Sequence, residues 1–184
     1  PQYDQYLKYS RLAHEIYYRY TDLVEPFGMD ECWLDVTGCG IYGEPLEIAE
    51  EIRKSVREEL GLTVSIGVSF NKIFAKLGSD LKKPDAITVI TRQNFKENIW
   101  PLAASELLYV GSATTAKLDR YGIKTIGDLA ATEPSTLKYM FGINGLKLWR
   151  YANGTDESRV MQKDFVSPVK SIGHGITCTT DLNN

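Results

Sequence analysis

Apolar residues recur at helical spacing in two segments of the first third of the chain. Residues 3–21 carry them at intervals of three and four, which predicts an amphipathic helix. A second stripe follows Pro45, which suits the first turn of a helix, and ends at Gly61, which suits its stop. Between them, "LVEPFGM" and "CWLDV" are typical of extended chain. These two pieces predict a hairpin with Asp30 and Glu31 at or near its turn.

The segment after the second helix alternates apolar and polar side chains. In "TVSIGVSF", residues 63–70, the large apolar residues occupy every second position, as in a half-buried strand. Asn71 is a suitable cap for a short helix through Gly78, and "AITVI" predicts another strand. A strand, a helix and a strand in this order predict an α/β sheet with packed helices.

The pattern changes after about residue 92. Segments become short and helical, and Thr125 with Asp128 resembles a small capping box. Each segment is closed by a glycine: Gly122, Gly142 and Gly154. No strand pattern returns until "KSIGHGITCTT", residues 170–180. We expect domain boundaries near residues 91–94 and 163–168.

The composition is that of an ordinary globular protein, with 43% hydrophobic and 24% charged residues. No apolar run approaches the roughly 18–20 residues of a membrane span, so no membrane partner is expected. The cysteines show no CxxC spacing, which favours a reduced, cytoplasmic setting over a disulfide framework or a zinc site. His14 and His174 stand alone and suggest no ligand or base.

Charge is distributed unevenly along the chain. Residues 1–60 carry a net charge of −7 and residues 61–184 a net charge of +4, which together give the overall −3. Such asymmetry hints at a cation-binding surface beside a polyanion-binding one.

Asp30 and Glu31 form an acidic pair inside an otherwise apolar stretch. At a hairpin turn both carboxylates can lean toward one point, and Mg²⁺ is usually held by one or two carboxylates together with substrate phosphates. Two such ions clamping a displacement at phosphorus would explain the clustered charge. The alternative is an exposed turn that these acids merely solvate.

Lysines cluster in "NKIFAKLGSDLKKPD". Lys72 and Lys76 share a helix face, and Lys82 and Lys83 follow before a proline. Beside metal-binding carboxylates such a patch suits a triphosphate, although most lysine clusters are solvated helix faces.

The segment "LYVGSATTAKLDRYGIKTIGDLA", residues 108–130, predicts a helix, a tight glycine turn and further short helices. Backbone N–H groups at such a helix start can hold a phosphate without reading sequence. A plain helical hairpin needs the same glycines, so both readings stay open.

Together these stretches resemble the Y family of translesion DNA polymerases, the lesion-bypass enzymes that include DNA polymerase IV and the UmuC-like proteins. "MDECWLDVTG" is similar to the family's S-I-D-E-x-x-L-D-V-T catalytic motif, and "SIGVSFNKIFAKLGSDLKKPD" to its G-I-S-x-N-K-x-x-A-K-x-A-S-x-x-x-K-P-N-G motif. "VGSATTAKLDRYGIKTIGDLA" is similar to the helix-hairpin-helix of the thumb, and "KSIGHGITCTTDL" to the exit from the thumb. The likeness covers almost the whole chain.

The resemblance implies two-metal nucleotidyl transfer from a dNTP to a primer 3′-hydroxyl. Asp30 would ligate both Mg²⁺ ions and Glu31 would help to hold the catalytic one, with Mn²⁺ as a possible substitute. Lys83 would contact the incoming triphosphate, and Lys76 lies on the same basic surface. Asp35 matches a family acid that we interpret as structural.

The resemblance also implies DNA contacts and an architecture. Gly111, with the amides of Ser112 and Ala113, would grip the backbone of primer–template DNA. The expected α/β (α+β) fold is a partial ferredoxin-like palm sheet with packed helices over 1–92. A small all-helical thumb over 93–164 and a linker toward the little-finger domain over 165–184 would follow.

The chain also departs from the family pattern. Met29 replaces the usual isoleucine, Tyr109 occupies the first glycine position of the thumb hairpin, and Ser112 stands where a basic residue is common. Asp85 and Ala86 replace the usual Asn-Gly. The family's first catalytic aspartate, its fingers and its sliding-clamp peptide have no match. We therefore expect an excerpt that is inactive alone.

Two other hypotheses remain. The chain could be a non-catalytic DNA-binding module in which the hairpin holds DNA and the acids are structural. A cyclase-type nucleotide enzyme, which uses a similar palm, is a third reading, and the thumb hairpin argues against it.

Overall fold

A computed structural model describes most of the chain, namely residues 2–166, 168–173 and 175–176. Helix α1, Tyr3–Tyr17, is shorter than expected. Residues 18–20 form a turn instead, which redirects the chain so that Val24 reaches the core, where its side chain is fully buried.

The predicted hairpin is confirmed. Strands β1, Val24–Phe27, and β2, Glu31–Leu34, pair antiparallel with Phe27 opposite Glu31. The connecting turn uses Gly28 at φ +83°, a conformation that side chains other than glycine rarely adopt. The acidic pair therefore lies at the tip of the hairpin.

Helix α2, Pro45–Leu60, begins and ends where the sequence predicts. Glu44 and Glu47 form a reciprocal capping box at its start, and Gly61 ends it in the left-handed conformation. Its apolar stripe packs on α1 and β1 in a first core cluster of Ile16, Tyr17, Val24, Ile48, Ile52 and Val56.

The predicted strand–helix–strand unit follows. Strands β3, Ile66–Ser69, and β4, Ile87–Ile90, pair parallel, and helix α3, Lys72–Leu81, connects them. Asn71 caps α3 as expected, since its side chain accepts a 2.8 Å hydrogen bond from the backbone N–H of Phe74. The helix continues beyond Gly78 by three residues. The described strands form two separate two-stranded sheets.

Between residues 95 and 152 the chain is mainly helical, as the sequence predicts. The capping box at Thr125 and Asp128 is present, with a 3.0 Å bond from the Asp128 N–H to the Thr125 hydroxyl. The helices are α4 (Phe95–Ile99), α5 (Ser112–Arg120), α6 (Ile126–Ala131), α7 (Pro134–Phe141) and α8 (Ile143–Ala152).

A second core cluster joins α3 and β4 to these helices and extends from Ile73 to Ala152. Phe74 is fully buried in it, and the backbone of Gly154 passes so close that an added Cβ would lie 2.8 Å from the Phe74 ring. The Asn71 amide donates a 3.2 Å bond to the Gly154 carbonyl. Helix α3 is thus held between the sheets and the helical region.

The chain beyond the last helix returns to the residues just before β1, where the Lys163 N–H donates a 3.1 Å bond to the Asp22 carbonyl. Part of the strand predicted over residues 170–180, His174 included, lies outside the described residues; 170–173 and 175–176 form no strand. Within the described chain, no helix has both the length and the apolar character needed to cross a membrane.

Candidate active site

The acidic pair is presented by a supported hairpin tip. Asp30 is exposed in the turn, and Glu31, the first residue of β2, is half-buried. Behind them the Ser10 hydroxyl of α1 donates a 2.5 Å hydrogen bond to the Met29 carbonyl. Helix α1 therefore braces the turn through this bond.

Helix α3 is docked on the same hairpin by its first residue. The Trp33 indole donates a 2.9 Å bond to the Lys72 carbonyl, and the Lys72 ammonium lies 4.4 Å from the centroid of the Trp33 ring. That ammonium also pairs with Glu25 at 2.6 Å. Lys72 is therefore engaged in holding α3 against β1 and β2, although it lies one turn from Lys76.

Lys76 reaches the acidic tip. Its side chain is only 14% exposed, and its ammonium lies 3.3 Å from Glu31 Oε1. The same ammonium pairs with Asp80 one turn further along α3. Burial tends to lower the pKa of Lys76, but the two carboxylates outweigh it and leave that pKa raised.

Lys83 completes a row of alternating charges. Its ammonium lies 2.7 Å from Asp80 Oδ1, while Lys76 pairs with Oδ2 of the same carboxylate. Partial burial tends to raise the pKa of Asp80, but the two lysines outweigh it and leave that pKa lowered. We call Glu31, Lys76, Asp80 and Lys83, in this order, the charge row.

Asp80 is the member of the charge row that our sequence analysis missed. An acid four residues after Lys76 and three before Lys83 is the spacing at which helical neighbours meet, so a signal was present. Asp80 joins Lys76 to Lys83, and Lys76 contacts Glu31 directly. Asp30 is their neighbour on the hairpin tip.

Asp35 has the local role that we expected. Its carboxylate accepts a 2.9 Å bond from the Thr37 N–H, and its carbonyl accepts a 2.8 Å bond from the Thr21 hydroxyl. These bonds secure the chain just after β2.

The predicted DNA-contacting residues lie in the helical region. Gly111 caps the start of α5, and Ser112 and Ala113 are the first residues of that helix, all three exposed. The first amides of a helix have no intrahelical acceptor, so they can bind a phosphate. No hydrogen bond or ion pair among the described residues joins this turn to the acidic tip.

Tyr109, which occupies the first glycine position of the family's thumb hairpin, has a strained backbone conformation. Its φ is +71°, in the left-handed region where side chains are strained by about 1–2 kcal/mol. Tyr109 is 62% exposed, and its ring centroid lies 6.1 Å from that of Tyr151. The turn keeps a shape that suits glycine although it carries tyrosine.

Asp30 and Glu31 offer the hard oxygen ligands that Mg²⁺ prefers. In the described part of the chain, no group of three or more histidine, cysteine or acidic side chains could hold a metal by itself. The pair therefore fits a metal completed by substrate phosphates and by further ligands. The Lys76 ammonium also places a positive charge beside Glu31.

Two family models match the chain. Residues 1–80 match the impB/mucB/samB family, and residues 106–156 match the thumb domain of DNA polymerase iota. The first covers the hairpin and the first helices, including Lys76 and Asp80. The second covers the turn before α5 and ends just beyond α8.

Relatives and solved structures agree with these matches. DNA polymerase IV of Acetivibrio thermocellus is 52% identical over 97% of this chain and 45% of its own length. A chimera of the Y-family DNA polymerases Dbh and Dpo4 superimposes with a TM-score of 0.80 at 26% identity, over 89% of this chain and 48% of that one. An insertion ternary complex of the Dbh DNA polymerase gives a TM-score of 0.78 at 26% identity, over 86% and 47%.

The chain spans about half the length of the curated relatives that it matches. The likeness is collinear and includes both the acidic hairpin and the helical region with its glycine turn. On these matches, the chain belongs to the Y family of DNA polymerases.

Proposed function

We propose that this chain is the part of a lesion-bypass DNA polymerase that carries two of its metal-binding carboxylates. The complete protein would carry out template-directed DNA synthesis. The observation that carries the proposal is the acidic pair at a braced hairpin tip, with Lys76 3.3 Å from Glu31 and with Lys83 at the far end of the charge row. Carboxylates beside ordered ammonium groups suit a metal-bound triphosphate. We propose a palm over 1–92, a thumb over 93–164 and a linker over 165–184.

Asp30 and Glu31 are the proposed metal ligands. Bound Mg²⁺, or Mn²⁺ in its place, would lower the pKa of the primer 3′-hydroxyl and neutralise the departing pyrophosphate. Two ions need more ligands than this pair provides, so we expect a further carboxylate from elsewhere in the complete protein and no activity from these 184 residues alone.

Lys83 and Lys76 are the proposed nucleotide contacts. Lys83 is 55% exposed at its side chain, so its ammonium can donate to phosphate oxygens while it stays on Asp80. Lys76 is enclosed and keeps the Glu31 carboxylate in place. The reaction joins the primer 3′-oxygen to the α-phosphorus and breaks the bond from that phosphorus to the bridging oxygen, so that pyrophosphate leaves.

Gly111, Ser112 and Ala113 are the proposed contacts to the DNA backbone. Their position at the start of α5 favours phosphate binding independent of sequence. The partners would be primer–template DNA and a dNTP. We also propose that a sliding clamp binds the complete protein through residues outside this chain. The proposed location of the protein is the cytoplasm.

Primer extension tests the proposal on the longest natural product that contains this chain, with plain and abasic templates and Mg²⁺. Glu31→Gln and Asp30→Ala should abolish incorporation and leave the Kd for DNA within about twofold, because they remove metal ligands and not DNA contacts. Glu58→Gln, an exposed acid on α2, is the matched control and should extend normally. Retained incorporation by Glu31→Gln would refute the assignment.

The DNA-binding module remains the second candidate, because the described residues contain no third carboxylate at the tip. It predicts salt-dependent binding of duplex DNA with no extension by the natural protein. A cyclase-type enzyme would bind nucleotide but show no such DNA binding. Primer extension and DNA binding measured on the same protein therefore separate all three.

A further inference from the structure

Asp80 occupies a place that its helix does not favour. It lies in the last turn of α3, where the negative end of the helix dipole disfavours a carboxylate. Its two oxygens are each taken by a different lysine, Lys76 on one and Lys83 on the other. The lysines, and not the helix, account for an acid at this position.

We propose that Asp80 is a positioning residue of the nucleotide site, which holds Lys76 and Lys83 in the conformations that receive the triphosphate. The proposal rests on the proposed function and extends it to a residue that would not touch the nucleotide. Asp80 acts through the lysines.

The two ammonium groups have different surroundings. Lys76, at 14% exposure, is bound on one side by Glu31 and on the other by Asp80. Lys83 lies beyond the helix end with its side chain 55% exposed, and Asp80 is its ion-pair partner among the described residues. Without that carboxylate, the Lys83 ammonium would have no ion-pair partner among the described residues.

The Lys83 ammonium can bind Asp80 and a phosphate at the same time because a lysine ammonium has three donors. Asp80 occupies one donor of Lys83 and leaves the others directed toward solvent, where a phosphate can accept them. A free lysine side chain loses its rotamer freedom on binding, and one already held by Asp80 loses less. The opposing effect is repulsion between Asp80 and the triphosphate, which the two adjacent ammonium groups screen.

The kinetic test uses Asp80→Asn, which removes the charge and keeps the shape. We expect the KM for the incoming nucleotide to rise about tenfold, with kcat within about twofold and the Kd for DNA unchanged. Asp80→Glu, which keeps the charge, should restore part of the loss. Asp119→Asn, an exposed acid on α5, is the matched control.

A double-mutant cycle tests whether Asp80 affects the KM for nucleotide through Lys83. If Asp80 acts through Lys83, then Asp80→Asn should add little to the KM of Lys83→Ala, because the group that it positions is gone. Lys82→Ala, a neighbouring exposed lysine, should leave the effect of Asp80→Asn intact. The proposal would be overturned if the effects of Asp80→Asn and Lys83→Ala on KM were fully additive. It would also be overturned if Asp80→Asn lowered KM, which would mean that Asp80 competes with phosphate.

A measurement without catalysis keeps this proposal separate from the proposed function. In lysine side-chain NMR of the wild-type protein and Asp80→Asn, the ε-methylene of Lys83 should become more mobile, while that of Lys82 should not change. Unchanged Lys83 mobility refutes the positioning role even in a protein that extends no primer. Increased mobility with no primer extension by the wild type would refute the polymerase proposal and leave the Asp80 contact intact.

Discussion

Gly67 sets how closely helix α3 approaches strand β3, and Gly67→Ala tests that approach. A Cβ built at this position would lie 1.9 Å from the Ala75 carbonyl oxygen and 2.7 Å from the Ser79 nitrogen. Both neighbours are helix backbone, which cannot rotate away as a side chain could. The helix would have to retreat from the strand by about 1 Å or more to restore a normal contact.

The expected cost follows from these contacts. Overpacking usually destabilises by about 1–3 kcal/mol, and disturbing the helical hydrogen bond between Ser79 and Ala75 adds about 1 kcal/mol. We therefore expect Gly67→Ala to lower the free energy of unfolding by about 2–4 kcal/mol. That is a large part of the roughly 5–15 kcal/mol typical of folded proteins.

Urea unfolding followed by far-ultraviolet circular dichroism measures this loss. Gly40→Ala is the matched control, since a Cβ there would meet nothing within 4 Å and its φ lies outside the left-handed region; its stability should change by less than about 0.5 kcal/mol. A loss below about 1 kcal/mol in Gly67→Ala would refute the close packing of α3 on β3. Gly67→Ala molecules that stay folded should also lose the contact between Lys76 and Glu31, because Lys76 moves with α3.

Two further predictions concern a half-buried ion pair and a helix cap. Glu25→Gln should lower the free energy of unfolding by about 1–3 kcal/mol in urea, because it leaves the Lys72 ammonium, 12% exposed, without its carboxylate. Asp22→Asn, which breaks the exposed pair with Lys163, should cost much less than Glu25→Gln, and an equal loss in both variants would contradict this interpretation. Hydrogen bonds from the backbone N–H groups of Thr125 and Lys124 lower the pKa of Asp128 below its usual 3.8. The stabilisation by the Asp128 carboxylate is therefore complete above pH 3.8 and is lost as the pH falls through the lowered pKa. The free energy of unfolding of Asp128→Asn should therefore depend less on pH below about 4 than that of the wild type. An unchanged pH dependence would count against the cap.

The sequence by itself determined the local elements and the family. Helix α2 with its proline start and glycine stop, the acidic hairpin, the Asn71 cap and the Thr125 capping box were all predicted from residues within a few positions of each other. Such features depend on backbone geometry and side-chain period, which neighbouring residues decide. The motifs that resemble the Y family are local in the same sense.

Only the tertiary structure decided which charges meet. Lys72 and Lys76 share a helix face in the sequence pattern, yet Lys72 pairs with Glu25 on the hairpin while Lys76 reaches Glu31. The need for glycine at position 67 is also invisible in the strand pattern, because it arises from the backbone of α3. Partners far apart in the chain are chosen by how the elements pack, and packing depends on the shapes of whole faces, which periodicity does not encode.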